Sequence, residues 1–145
     1  MKSPLKTVLV ALALGLLFGG CASYDADVAR GHPLVGIKKF FVLSNLNDNH
    51  ALDRQIIEAL KGRGFEAESG PLTMMPIGTQ AIVAYEDRWD WDFGEHLLYL
   101  RLTVHENRLT NQMLGTVTYS ARFPSRDSTA VTVDHLVGRL IPAKP

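Results

Sequence analysis

The side chains with chemical potential crowd into one stretch, Tyr85-Glu86-Asp87-Arg88-Trp89-Asp90-Trp91-Asp92-Phe93. Its carboxylates suggest either cation coordination or general acid–base work. For calcium, Asp90, Asp92 and Glu95 with Gly94 supply part of a binding loop, but that loop needs a third oxygen ligand before its glycine and a distal bidentate Glu. Phe93 stands at the third place. For hydrolysis, Asp90 and Asp92 would lie ~7 Å apart on one strand face, with no pocket implied that would exclude water.

The remaining candidates are weaker. His32, His50, His96, His105 and His135 form neither His-Glu-x-x-His nor any close pair, so no zinc site is expected. Ser120, Asp134 and His135 include the residue types of a catalytic triad. Adjacent residues on a helix diverge by about 100°, however, and nothing in the sequence activates Ser120. There is no Gly-x-Ser-x-Gly elbow and no phosphate-cradling glycine loop. The expectation is a chain that is not an enzyme and uses no metal or cofactor. Cation or small-ligand binding through Asp90 and Asp92 is the alternative.

Read as a strand, the same stretch divides into two faces, with Tyr85, Asp87, Trp89, Trp91 and Phe93 on one and Glu86, Arg88, Asp90 and Asp92 on the other. Two later segments repeat the division. Leu98, Leu100, Leu102 and Val104 alternate with Tyr99, Arg101, Thr103 and His105, and Val117, Tyr119, Ala121 and Phe123 alternate with Thr116, Thr118, Ser120 and Arg122. The apolar rows should be core, with Trp89 and Trp91 among its large side chains. The polar rows should form an outer face on which Arg88, Arg101 and Arg122 pair with Glu86, Asp90 and Asp92. That face is either simply solvated or a docking surface for a partner.

The wording Tyr85, Asp87-Arg88-Trp89, Trp91-Asp92 after Ala81-Ile82-Val83-Ala84 resembles a signature of small, uncharacterised bacterial lipoproteins. The order of elements is also similar to that of the α+β domains of the curli-export lipoprotein and of the Tol system's periplasmic protein. These resemblances imply an envelope location and an architecture, with Tyr85, Asp87, Trp89 and Trp91 as structural signature residues. They leave the biochemical role open.

The elements that must position these residues follow from hydrophobic spacing. Ile37 to Leu43 lacks alternation, as a strand covered on both faces does. Asn45, Asn47, Asp48 and Asn49 supply turn and cap residues, and Leu52, Ile56, Ala59 and Leu60 recur at helical spacing until Gly62 and Gly64. Strands are expected at Phe65–Glu68, Ala81–Phe93, His96–His105 and Leu114–Phe123, with a turn at Asn107–Gln112. A last helix, capped from Ser125, Asp127 or Ser128, carries the stripe Val133, Leu136, Val137, Leu140 and Ile141 and stops at Pro142. The fold class is α+β, a mixed or mostly antiparallel sheet in the order β-α-β-β-β-β-α with two helices packed on one face.

Between Ser69 and Gln80, Gly70-Pro71, Pro76 and Gly78 interrupt regular structure. Leu72, Met74, Met75 and Ile77 in this loop are read first as covering an open end of the core. An adaptable protein-contact surface containing Met74 and Met75 is the second reading.

The N-terminus carries an address. Lys2 and Lys6 precede an uncharged run from Val8 to Phe18, roughly 17 Å as a helix, which is short of the ~20 residues a membrane-crossing helix needs. Phe18-Gly19-Gly20-Cys21 resembles the bacterial lipobox, with Phe18 in place of the usual Leu. The resemblance implies cleavage of residues 1–20, acylation of Cys21 and attachment to the periplasmic side of the outer membrane, since Ala22 is not Asp. The inner membrane is the alternative. Cys21 is the single cysteine, so an internal disulfide is impossible. Residues 21–36, polar and broken by Gly31, Pro33 and Gly36, read as the lipidated cysteine and a flexible tether, and residues 37–145 as one domain.

Composition narrows the partners. Across 145 residues, fifteen Lys plus Arg balance fifteen Asp plus Glu, and 46% of residues are apolar. Loss of Lys2 and Lys6 with the leader leaves thirteen basic groups against fifteen acidic, a formal −2. Such a chain lacks the cationic excess that nucleic-acid binding draws on. The partners expected are the membrane, through lipid on Cys21, and another envelope protein.

Overall fold

The computed structural model describes residues 22–30, 34, 36–92 and 94–142; the expected leader, Cys21, His32 and Phe93 lie outside them. Six strands and two helices follow one another as β1 (Ser23–Val28), β2 (Lys39–Leu43), α1 (Leu52–Gly62), β3 (Glu66–Gly70), β4 (Ala81–Asp90), β5 (His96–Glu106), β6 (Met113–Ser120) and α2 (Thr129–Leu140), with a 3-10 turn at Leu72–Met74. They form one mixed sheet in the order β1-β6-β5-β4-β2-β3. Strand β2 runs parallel to β3 and β4, and the remaining pairs are antiparallel. This is the expected α+β fold and element order, preceded by one additional strand.

That strand corrects the tether. Residues Ser23 to Val28 pair with β6 from Ser23↔Ser120 to Val28↔Gly115. Tyr24, Ala26 and Val28 alternate with Ser23, Asp25 and Asp27, so a period of two underlies a segment whose composition looks merely polar. Tyr24 lies on the core side, its ring centroid 5.1 Å from Tyr119 and 4.6 Å from His135. Asp25 and Asp27 charge the sheet's outer edge, as edge strands commonly require.

Strand β2 is central, and the absence of alternation has the expected cause: Phe40, Phe41 and Val42 are all buried. Phe40 and Val42 join the core under the helices, together with Val83, Tyr85, Leu100, Leu102, Val104, Val117 and Tyr119. From α1 that core receives Leu52, Ile56 and Leu60, and from α2 Val133, Leu136, Val137 and Leu140. The two helices are tied by Arg63, whose guanidinium donates to the Ala59 carbonyl, to the Asp134 carboxylate and to the Asp134 carbonyl. Bonding to Arg63 holds the Asp134 carboxyl below the usual carboxylate range. Gly138 makes this possible, because a Cβ there would stand 2.6 Å from Arg63 Nη2.

Two irregularities change the expected faces. A register shift between Arg88 and Trp89 pairs Arg88 with Tyr99 but Trp89 with Leu97, leaving Leu98 as an extra residue on β5. Leu97 is therefore buried in place of Leu98. The strand also ends sooner than expected, at Asp90, so Trp91 lies beyond the ladder and is 69% exposed. Likewise β6 stops at Ser120, and Phe123 is exposed instead of continuing the core row.

Gly115 is the tightest approach between β1, β6 and α2. A Cβ at this position would lie 2.7 Å from Leu140 Cδ1 and 3.2 Å from the Asp27 carbonyl oxygen. Leu140 is buried and cannot swing into solvent. Gly115→Ala is expected to destabilise the domain by about 1–3 kcal/mol through overpacking, measured as a lower urea midpoint at unchanged slope.

Candidate functional site

The sheet has one face under the helices and one without. Its uncovered face is polar across β1, β6, β5 and the second half of β4, where Glu86 and Arg88 point outward, and apolar where β2 meets the first half of β4. On the polar part Tyr99 lies between two cations, with Arg88 Cζ and Arg101 Cζ each 5.4 Å from its ring centroid. Arg101 also pairs with Glu86 at 3.7 Å. Both partners are well exposed, so the pair contributes at most about 1 kcal/mol.

The other pairings expected from the sequence do not form in this arrangement. Asp90 lies at the end of β4 with Oδ1 accepting from the Trp91 amide at 2.7 Å. Asp92 and Arg122 are exposed. Among the described residues, no group of three His, Cys, Asp or Glu side chains converges as a metal site would require. The residue types of a triad are dispersed too: Ser120 shares its hydroxyl with Ser23 on the outer face, whereas Asp134 is held by Arg63 on the helical side.

On the apolar part, Phe41 points away from the main core and is nevertheless 1% exposed. The segment after β3 covers it: a Cβ at Gly70 would lie 3.5 Å from Phe41 Cζ and 3.8 Å from Met74 Cβ. The loop thus lies across the outer face and closes no end of the main core. Leu72, Met74 and Ile77 turn outward, at 59%, 72% and 103% exposure, while Met75 is half-buried. Beside the loop runs an open groove of about 500 Å³ lined by Leu43, Leu72, Met75, Ile82, Ala84 and His105.

A third arrangement centres on Asp48, expected as a turn or cap residue but not as a partner of Tyr85. Its Oδ2 accepts from Tyr85 Oη at 2.9 Å and from the Leu52 and Asp53 amides at 2.7 and 3.3 Å, while Oδ1 accepts from the His50 amide at 2.8 Å. Asp48 therefore caps α1, which begins after Ala51 in a left-handed conformation with φ 52°. Burial, with Asp48 as acceptor and neighbouring charge, raises the Tyr85 hydroxyl well above the ordinary tyrosine range. Tyr85 is a fixed neutral donor, unsuited to proton transfer near pH 7.

The signature aromatics separate here. Trp89 packs against the core, donates from Nε1 to Asp87 Oδ2 at 2.8 Å and stacks on the His50 ring at 3.6 Å. Glu95 in turn bonds His50 Nε2. Nearby, a pocket of about 240 Å³ is bordered by Trp89, His96, Tyr119, Ser128 and Thr132. His96 Nδ1 donates to the Gly94 carbonyl, and its buried Nε2 has no protein partner. Spacing alone could not have found these contacts, since Asp48 and Tyr85 are 37 residues apart.

No protein-family model matches this chain, and no curated protein matches it. Among solved structures, it is similar to PelC from Paraburkholderia phytofirmans, determined as a dodecamer. One PelC structure, a point-substituted form, aligns with a TM-score of 0.56 at 11% identity, covering 83% of this chain and 95% of that one. A second PelC structure aligns with a TM-score of 0.51 at 10% identity, covering 84% and 96%. At such identity the likeness is one of fold.

The two tryptophans should behave differently on truncation. Trp89→Ala is expected to cost about 1–3 kcal/mol from lost burial and stacking. Trp91→Ala, on an exposed side chain, should stay within about 0.5 kcal/mol of the parent. Asp48→Ala should cost about 1–3 kcal/mol because it orphans the Tyr85 hydroxyl and the first amides of α1. Urea denaturation of the three variants, followed by far-ultraviolet circular dichroism, checks the ranking.

Proposed function

We propose that this chain is a non-catalytic, lipid-anchored envelope lipoprotein, held by Cys21 to the periplasmic side of the outer membrane, that serves as a protein-assembly module. The observation that carries the assembly part is the outward-facing apolar loop with its exposed Leu72, Met74 and Ile77, from which Leu72 and the half-buried Met75 line the open groove with Leu43, Ile82 and Ala84. Clustered exposed apolar side chains of this kind favour protein contact, and methionine adapts to an irregular partner surface. The lipobox-like Phe18-Gly19-Gly20-Cys21 supports the anchor. Acyl chains stabilise membrane attachment by ~0.8 kcal/mol per buried methylene, so a multiply acylated Cys21 would remain attached.

The partner favoured by the comparison is a second copy of this chain, because PelC, which shares the fold, assembles as a dodecamer. Arg88 and Arg101 line the polar part of the same uncovered face, with the exposed Arg122 beyond the end of β6, and would set the register of such a contact more than its strength.

Two measurements test this reading. Metabolic fatty-acid labelling with membrane fractionation should give a labelled, membrane-bound protein, and Cys21→Ala should lose both label and attachment. Labelling that persists in Cys21→Ala overturns the anchor. A photo-crosslinking side chain at Ile77 should yield a discrete adduct of twice the chain's mass in the native host, whereas one at Glu58, on the exposed side of α1, should not. Absence of any protein adduct at Ile77 and at Met74 overturns the assembly role.

A further inference from the structure

The way the chain enters the sheet sets which end of the domain meets the membrane. Strand β1 begins at Ser23, only two residues beyond Cys21, and two residues span at most ~7 Å. Strand β1 is bound along its length to β6, so no slack separates the modified cysteine from the folded domain. The row Ser23, Ser120, Tyr99 and Arg88 crosses four adjacent strands at this end. Strands β6 and β4 both run toward the end from which the chain enters β1, β6 ending in that row at Ser120 and β4 just past it at Asp90. Phe123 lies three residues beyond Ser120, and Trp91 three residues beyond Arg88.

These two residues are distinctive. Among the described residues, Trp91 and Phe123 are the large aromatic side chains that are exposed, at 69% and 58%. Both lie at the Cys21 end of the sheet, whereas the opposite end carries exposed aliphatic residues such as Leu109 and Met113. Aromatic rings, tryptophan above all, are enriched where headgroups meet acyl chains, because one ring edge is apolar and the other hydrogen-bonds. Arg88, Arg122 and Arg126 at this rim are offset by Asp90, Asp92 and Asp127, so its attraction to lipid is not driven by charge.

We infer that the rim containing Trp91 and Phe123 is a second membrane contact, seated at the interfacial level of the leaflet that holds the Cys21 acyl chains and fixing the domain's orientation on it. The inference rests on the acylation of Cys21 proposed above. Its occupant is a lipid bilayer surface, and the aromatic character of the contact makes it indifferent to anionic headgroups.

The test uses the full-length protein purified from its native membrane, with intact-mass analysis of Cys21, reconstituted into phosphatidylethanolamine vesicles with and without phosphatidylglycerol. Brominated acyl chains should quench tryptophan emission equally in both vesicle types. Trp91→Phe should lose most of that quenching while Trp89 continues to emit. A tryptophan moved to the far end, Leu109→Trp in the Trp91→Phe background, should be quenched by aqueous acrylamide and not by the brominated lipid. Acylated Cys21 with a Trp91 that brominated lipid leaves untouched overturns this contact and leaves the anchor standing. A bare Cys21 overturns both. Quenching that appears only with phosphatidylglycerol overturns the aromatic basis of the contact.

Discussion

Two helices of eleven and twelve residues cannot cover both faces of a six-stranded sheet. Each helix spans roughly 17 Å, and both lie on the same side, where Leu52, Ile56 and Leu60 meet Val133, Leu136 and Leu140 over the buried strand residues. Everything on the opposite face must be stabilised without them. The chain solves this differently on the two halves of the sheet. Across β1, β6 and β5 the outward residues are Ser, Asp, Thr, Tyr and Arg, which water and local ion pairs satisfy. Across β2 and β4 the residues are Phe41, Leu43, Ile82 and Ala84, and there the segment after β3 folds back over Phe41.

That fold-back explains why the apolar loop is exposed without being loosely attached. Its inner side is occupied with Phe41 and Gly70, so Leu72, Met74 and Ile77 have no core left to enter. A loop that merely plugged an open end of the core would have buried its largest side chains first, because each buried Leu or Met contributes about 1.5–3 kcal/mol. The opposite is seen.

The sheet and both helices were legible because their signals are local. An unalternating Phe40-Phe41-Val42 in a run of only seven residues is the pattern of a doubly covered strand, and the stripes of α1 and α2 recur every three or four residues until Gly or Pro ends them. Strand β1 was hidden because it is an edge: five of its six residues are exposed, two of those are acids, and glycine and proline follow soon after in the sequence. Its alternation was present in Tyr24, Ala26 and Val28, but composition masked it. The depth of Trp91 and of Phe123 was not legible, because nothing in a period of two marks where a ladder ends. The loop's position across Phe41 and the Asp48–Tyr85 bond both join residues far apart in the chain, and no spacing rule reaches them.

The extra residue on β5 has a wider effect than its size suggests. Were Leu98 paired in strict register, Trp89 would meet it, and Leu97 would face outward. The extra residue turns Leu97 inward opposite Trp89, which packs against the core on the same side as Tyr85. Trp89 can then stack on His50, and Glu95 from the following turn closes over that ring. Directly beyond Asp90, Trp91 and Asp92 are exposed, and burial resumes at His96 and Leu97. Trp91 faces outward because β4 ends at Asp90, between two tryptophans that the sequence spaces as though they were equivalent.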